Sequence, residues 1–208
     1  MKFKVVNNPS QAFVFPTITN GQVYTPLFNS TFYEENYLGA AHDYQDVILN
    51  NEGTYTYCME NANMSELQGN STMVYIKAVF EPTELWDAAG DPMQPTESTF
   101  WRIRNENTGI WETGYYGEEP TTSEIGKEVI KFEDGICYYH AWLKNEASGL
   151  YMVKRNTYVK LTITAVYGSG EPGEGGGIDP EKPIEETTDA YIKVRVLDWE
   201  DDEQSTTL

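Results

Sequence analysis

The chain has 208 residues, with thirty-three acidic side chains against fourteen basic ones and a formal charge of −19. Such a surface repels phosphate backbones and anionic lipid, which argues against nucleic-acid binding and against docking on acidic membranes; solubility is the plain reading of the charge. The length suits one large domain or two small ones and buries a core without staples.

Taken in order, residues 1–50 show no clean period and read as an irregular lead-in packed on the rest. Ala12–Phe15 is a short apolar run closed by Pro16. Asn20-Gly21 is a turn signal between Thr17–Thr19 and Val23-Tyr24, which predicts a small hairpin. Helical turns are expected near 38–48. Gly53 opens a predicted strand over Thr54–Asn61. Ser71–Phe80 alternates strongly, with both faces apolar, so a central strand is expected there, ended by Pro82. Residues 83–99 read as loop. Phe100–Ile103 is a short strand, Asn105–Gly109 a turn, and Ile110–Tyr116 either completes a hairpin or covers a sheet edge. Thr122 or Ser123 with Glu124 matches the start of a short helix through Lys127-Glu128. Gly135 opens a further strand, Ile136–Leu143.

The stretch from Gly149 to Tyr167 reads as one long strand, in which Val159, Leu161, Ile163 and Ala165 alternate with Tyr158, Lys160, Thr162 and Thr164. Tyr191–Trp199 repeats the pattern, with Ile192, Val194 and Val196 alternating against Tyr191, Lys193, Arg195 and Leu197. Period two with β-branched residues marks strands with one buried face. These two strands should be neighbours. The Gly/Pro/Glu-rich segment 168–190 between them has no apolar period and reads as a flexible loop. Six or seven strands, one short helix and turns at roughly ten-residue spacing fit an all-β antiparallel sandwich with long loops.

Few residues mark chemistry. Cys137 and His140 lie three apart on a predicted strand and so point to opposite faces, which excludes a local nucleophile–base pair. Gly168-Ser-Gly170 lacks the spacing of a nucleophile elbow, and Gly173–Gly177 lacks the Lys-Ser/Thr of a phosphate loop. The acidic residues Asp198–Glu203 lack the Gly and closing Glu of a calcium loop and read as a solvated run. No catalytic residue, metal site or cofactor is therefore expected. Two cysteines, Cys58 and Cys137, are too few for a disulfide scaffold; pairing and buried free thiols both stay open. Asn29, Asn63 and Asn70 begin formal sequons, which matter only in a eukaryotic secretory host. Trp86, Trp101, Trp111, Tyr115 and Tyr116 stand out as a group of aromatics, with Asn105, Glu106, Asn107 and Glu112 among them in the sequence. Such rings can stack on a sugar while the polar groups bind its hydroxyls, or they can simply pack over the sheet edge.

Several motifs carry a family resemblance. Tyr151-x-Val153-x-Arg155-Asn156-x-Tyr158 is followed by Gly168-x-Gly170-x-Pro172, a Pro/Glu/Gly loop and a last strand ending in Asp198-Trp199. Upstream stand Tyr57-Cys-Met-Glu-Asn61 and Asp134-Gly-Ile-Cys-Tyr-Tyr139. In this order the motifs resemble the C-terminal domain of Bacteroidetes fimbrillins, the FimA-like subunits of type V pili, over roughly residues 51–199. The resemblance implies a transthyretin-like, Greek-key β-sandwich over 51–208 and a non-enzymatic structural subunit of a surface fimbria. It implies assembly by donor-strand exchange with other fimbrial subunits, as a homo- or heteropolymer. Export as a lipoprotein and trimming by a surface protease are further implications. No signal-peptide apolar core forms at the start, and no apolar run is long enough for a transmembrane segment. The chain accordingly reads as the C-terminal part of a longer precursor, with Met1 added to it. The candidate donor is the last strand, with Ile192, Val194, Val196 and Trp199 as plugs. The polar tail 200–208 departs from the alternating apolar continuation of the family. The alternative reading is a tip adhesin module that binds host or bacterial surface glycans through Trp101, Trp111, Tyr115 and Tyr116.

Overall fold

The computed structural model describes residues 1–9, 17–19, 22–24, 37–40, 45–46, 56–61, 66–94, 97–122, 124–145, 149–154, 157–174, 179–184 and 190–198. The fold is all-β and antiparallel, a sandwich built on one main sheet. Its strands are β1 (Lys2–Pro9), β2 (Thr17–Thr19), β3 (Gln22–Tyr24), β4 (Tyr37–Ala40), β5 (Gln45–Asp46), β6 (Met73–Val79), β7 (Leu85–Trp86), β8 (Pro92–Met93), β9 (Phe100–Asn105), β10 (Lys127–Phe132), β11 (Ile136–Trp142), β12 (Thr157–Val166) and β13 (Ala190–Asp198). Helix is confined, among the described residues, to two single 3-10 turns at Gln68–Asn70 and Glu133–Gly135.

The main sheet runs β11-β6-β1-β4, with β5 also beside β1. Strand β6 is central, as its two apolar faces predict: Val74 faces Val5 of β1 and Ala141 of β11, while Met73 faces Val6 and Trp142. Alternation sends these pairs to opposite sides. One side joins Val5, Val74, Ile76, Cys137 and Tyr139 to a core that also holds Phe100 and Phe132. The other joins Val6, Met73, Tyr75, Trp142 and Tyr151. The expected hairpins β2–β3 and β12–β13 form, the latter in register from Thr157↔Asp198 to Val166↔Ala190 with an irregularity between Ile163 and Ala165. On β12, Val159, Leu161 and Ile163 pack against the first core while the alternate residues are exposed.

Five expectations fail. The lead-in supplies β1 to the interior of the main sheet, because Lys2 and Lys4 interrupt the apolar pattern of a strand that still buries Val5 and Val6. Strands β4 and β5 stand within the 38–48 stretch expected to hold helical turns. Lys127-Glu128 begins β10 rather than a helix: Val129, Ile130 and Phe132 are claimed by Ile103, Arg102 and Phe100 of β9, and tertiary pairing overrides the capping signal. Residues 56–61 are not a strand; Asn61 alone bridges Val153, and its amide is tied to Asn70 O and Thr72 Oγ1. The single long strand expected from Gly149 likewise breaks, with β12 beginning at Thr157.

The connection after β12 is docked where it is described, not loose. Tyr138 and Glu171 exchange both backbone hydrogen bonds across the edge of β11. Gly170 has φ +62, and a Cβ there would stand 2.4 Å from the Tyr138 carbonyl oxygen, so only glycine fits. The Tyr139 hydroxyl donates to Gly168 O at 2.7 Å. Farther on, Gln68 N–H donates to Lys182 O, its side-chain amide donates to Pro183 O, and Ile184 N–H donates to Glu66 O. Ile184 then packs on the second core.

Candidate functional site

A second sheet assembles from β7–β10 and the segment 110–117. Strands β9 and β10 pair from Lys127↔Asn105 to Phe132↔Phe100. The Asn105 side chain accepts hydrogen bonds from Asn107 and Thr108 N–H, which closes the turn and returns the chain along β9. There Trp111 bridges Arg104 and Tyr116 bridges Trp101, both antiparallel, so Ile110–Tyr116 completes a hairpin with β9, the first of the two expected outcomes. Tyr116 also bridges Trp86, and β8 follows β7 through Trp86↔Pro92.

The two faces of this sheet differ. The inner face carries Phe100, Phe132, Trp111 and Tyr115. Phe100 and Phe132 stack at 4.7 Å, and both are essentially sealed from solvent, at 1% and 0% exposure. Tyr115 meets Phe80 and Phe100, and Trp111 meets Phe132. The Arg102 guanidinium sits 4.8 Å from the ring centres of both Trp111 and Tyr115, while Arg104 lies 5.0 Å from Trp111. Arg102 donates to Ser169 Oγ and to Glu112 O, and Arg104 pairs with Glu128 and Glu171. These cations lock the rings to the sheet and tie the 168–171 connection to it.

The outer face carries Trp86, Tyr116, Trp101 and Lys131. Residues paired across strands share a face, so the pairings Pro92–Trp86–Tyr116–Trp101–Lys131 place five side chains in one row across five segments. The three rings of the row are half-buried. Beside it Lys127 bonds to both Glu112 and Glu124 at 2.6 Å, which raises its pKa above the ordinary lysine range.

The four predicted aromatics are therefore split. Trp101 and Tyr116 share the outer row, whereas Trp111 and Tyr115 belong to the inner face. Trp86, which stands out with them as an aromatic in the sequence but is not among the four ligand candidates, completes the row. Of the predicted donor residues, Val196, Val194 and Ile192 stand opposite Val159, Leu161 and Ile163 in the β12–β13 register. Trp199 lies outside the described residues, as do Arg155 and Asn156 of the family-like motif. Nearby, an apolar cleft of about 210 Å³ opens between the ends of β6 and β12, lined by Val79, Phe80, Ile163 and Val166 among others.

The remaining reactive groups are structural. Both cysteines are free. Cys137 is sealed in the first core, and burial pushes the Cys58 thiol up. His140 is held below the ordinary imidazole range by burial and meets Trp142 edge-on. Asn70 is buried at 1% exposure, so its sequon is out of reach of a glycosylating enzyme in the folded chain. Among the described residues no three metal-ligating side chains converge, and no helix is long and apolar enough to cross a membrane.

No curated protein matches the chain. Residues 130–205 match the family described as "Major fimbrial subunit protein type IV, Fimbrillin, C-terminal", a span that opens within β10 and takes in β11, β12 and β13.

Proposed function

We propose that this chain is a non-enzymatic structural subunit of a bacterial surface fimbria, and that it polymerises with other fimbrial subunits by donor-strand exchange, with β13 as the donor. The match over residues 130–205 supports the fimbrial reading. The pairing of β13 supports the donor assignment: among the described residues it is hydrogen-bonded along its length to β12 and to no other strand. Withdrawing it breaks one ladder and leaves the main sheet whole. The same ladder can then re-form with a second subunit, where a row of edge N–H and C=O groups accepts an extended strand. Ile192, Val194, Val196 and Trp199 are the side chains that such a strand carries into its acceptor. Location on the cell surface, a Bacteroidetes host, a lipoprotein precursor and a role in adhesion complete the proposal.

The test is a deletion of residues 189–208 in the full-length protein, expressed in its own host. Fimbriae sheared from wild-type cells should give a ladder on a denaturing gel that collapses on boiling. The deletion should give only the lowest band. A normal ladder from the deletion strain would remove β13 as the donor.

A further inference from the structure

The outer row of the second sheet has features that packing alone does not require. The rings of Trp86, Tyr116 and Trp101 occupy successive strands, yet no aromatic contact joins them among the described residues. Their flat faces are not spent on one another. On the other side of the same sheet the opposite holds, since every ring there meets another ring or a guanidinium. Gly114 makes room for the row. An added Cβ at that position would lie 3.1 Å from the Tyr116 hydroxyl and 3.2 Å from two of its ring carbons. The backbone of Gly114 is not left-handed, so glycine is there for space: it lets the Tyr116 ring lie down over its own strand. At the far end of the row the Lys131 ammonium stands 5.9 Å from the Trp101 ring centre. Lys131 is 48% exposed and reaches Glu133 as well, which makes it a movable cover and not a fixed partner.

We propose that this row is a binding platform for an uncharged chain of pyranose sugars, with Trp86, Tyr116 and Trp101 as the stacking rings. Sugar rings present C–H groups on their faces, and these suit the negative face of an aromatic ring. Trp86 and Trp101 are two strand spacings apart, about 9.6 Å, which matches alternate rings of an extended oligosaccharide. The charge selects the ligand class. Glu118 and Glu119 follow the row and are exposed, Glu133 lies at its lysine end, and the whole chain carries −19. Anionic glycans are repelled by that field, while neutral hydroxyls can donate to the carboxylates. This reading is independent of strand exchange and needs only the folded chain.

The experiment titrates the chain with cellohexaose, xylohexaose, mannohexaose and maltohexaose, followed by tryptophan fluorescence and by calorimetry. At least one neutral hexaose should bind saturably. Trp101→Ala and Trp86→Ala should each weaken that binding about tenfold or more, as removal of a stacking anchor does. Gly114→Ala should weaken it several-fold by displacing the Tyr116 ring. Tyr158→Ala, on the exposed face of β12, should leave it unchanged. Far-UV circular dichroism and thermal melts establish that each variant folds. Absence of saturable binding to all four sugars would overturn the proposal, and so would binding that survives both tryptophan substitutions. Loss in Trp111→Ala with retention in Trp101→Ala would overturn it too, by placing the site on the other face.

Discussion

Strand β6 and the hairpin β12–β13 obey the same alternation and end in different physical states. In β6, four successive residues, Met73–Ile76, are buried, since cores lie on both sides of the main sheet. In β12 the apolar residues are only half-buried and their neighbours are exposed. Partners differ as well: β6 is laddered on both edges, whereas β12 and β13, among the described residues, are laddered only to each other. Burial on two faces and pairing on two edges make a strand part of the frame. One face and one edge make a strand whose removal would leave the frame whole, the property that the proposed donor role requires.

Truncation on the two sides should separate these states. Ile76, at 4% exposure, is enclosed by the first core, so Ile76→Ala should cost about 2–5 kcal/mol in denaturant unfolding. Leu161→Ala removes a half-buried side chain at the rim of the same core and should cost about 1–2 kcal/mol. Equal losses would break the comparison, because the hairpin would then be as deeply committed as the frame.

The connection between β12 and β13 sharpens the contrast, for it is more firmly held than the strand it leads to. Gly170→Ala forces a side chain into left-handed backbone and against the Tyr138 carbonyl, so it should cost about 2 kcal/mol or more and lower the melting temperature. Retained stability would mean that the exchange between Tyr138 and Glu171 contributes little. Glu171→Gln removes the charge that Arg104 meets at 3.2 Å while Glu128 still holds that arginine at 2.6 Å. The loss should be about 0.5–1 kcal/mol and should shrink in high salt. A salt-independent loss would assign the effect to packing instead.

Much of this was legible in the chain, and the failures have physical causes. Strands β6, β9, β11, β12 and β13 stood out because period-two alternation is local. So did the β2–β3 hairpin, flanking Asn20-Gly21. Strand β1 was not legible: Lys4 pairs with Glu174, a partner 170 residues away that no window contains. Strand β10 carried a helix-start signal that its partner β9 overrode. The glycines of 168–173 looked like flexibility, yet Gly170 serves a close backbone approach, and sequence alone gives both uses the same letters. For the aromatic site, alternation could have separated Tyr115 from Tyr116, since neighbours on an extended segment point apart. Trp86 stood out as an aromatic, but its place beside Tyr116 was beyond reach, because it depends on a bridge between segments thirty positions apart.

The smallest expected effect concerns pH and again sets frame against hairpin. His140 sits in the frame, opposite Tyr75 of β6 and edge-on to Trp142 at 5.7 Å. Burial lowers its pKa below the ordinary imidazole value. In the unfolded chain the imidazole titrates near pH 6.5. Below that value the unfolded state takes up the proton first, so this group favours unfolding progressively as pH falls towards the folded pKa. Its contribution to stability is fully present above about pH 6.5 and declines beneath it. Any change in general charge balance over the same range is shared by wild type and a His140 variant. The informative quantity is therefore a difference. Between about pH 7 and 5.5, wild type should lose more stability than His140→Gln measured side by side. Parallel pH profiles would show that the imidazole takes up its proton as readily in the folded frame as in the unfolded chain, and the burial assigned to that position on β11 would be wrong.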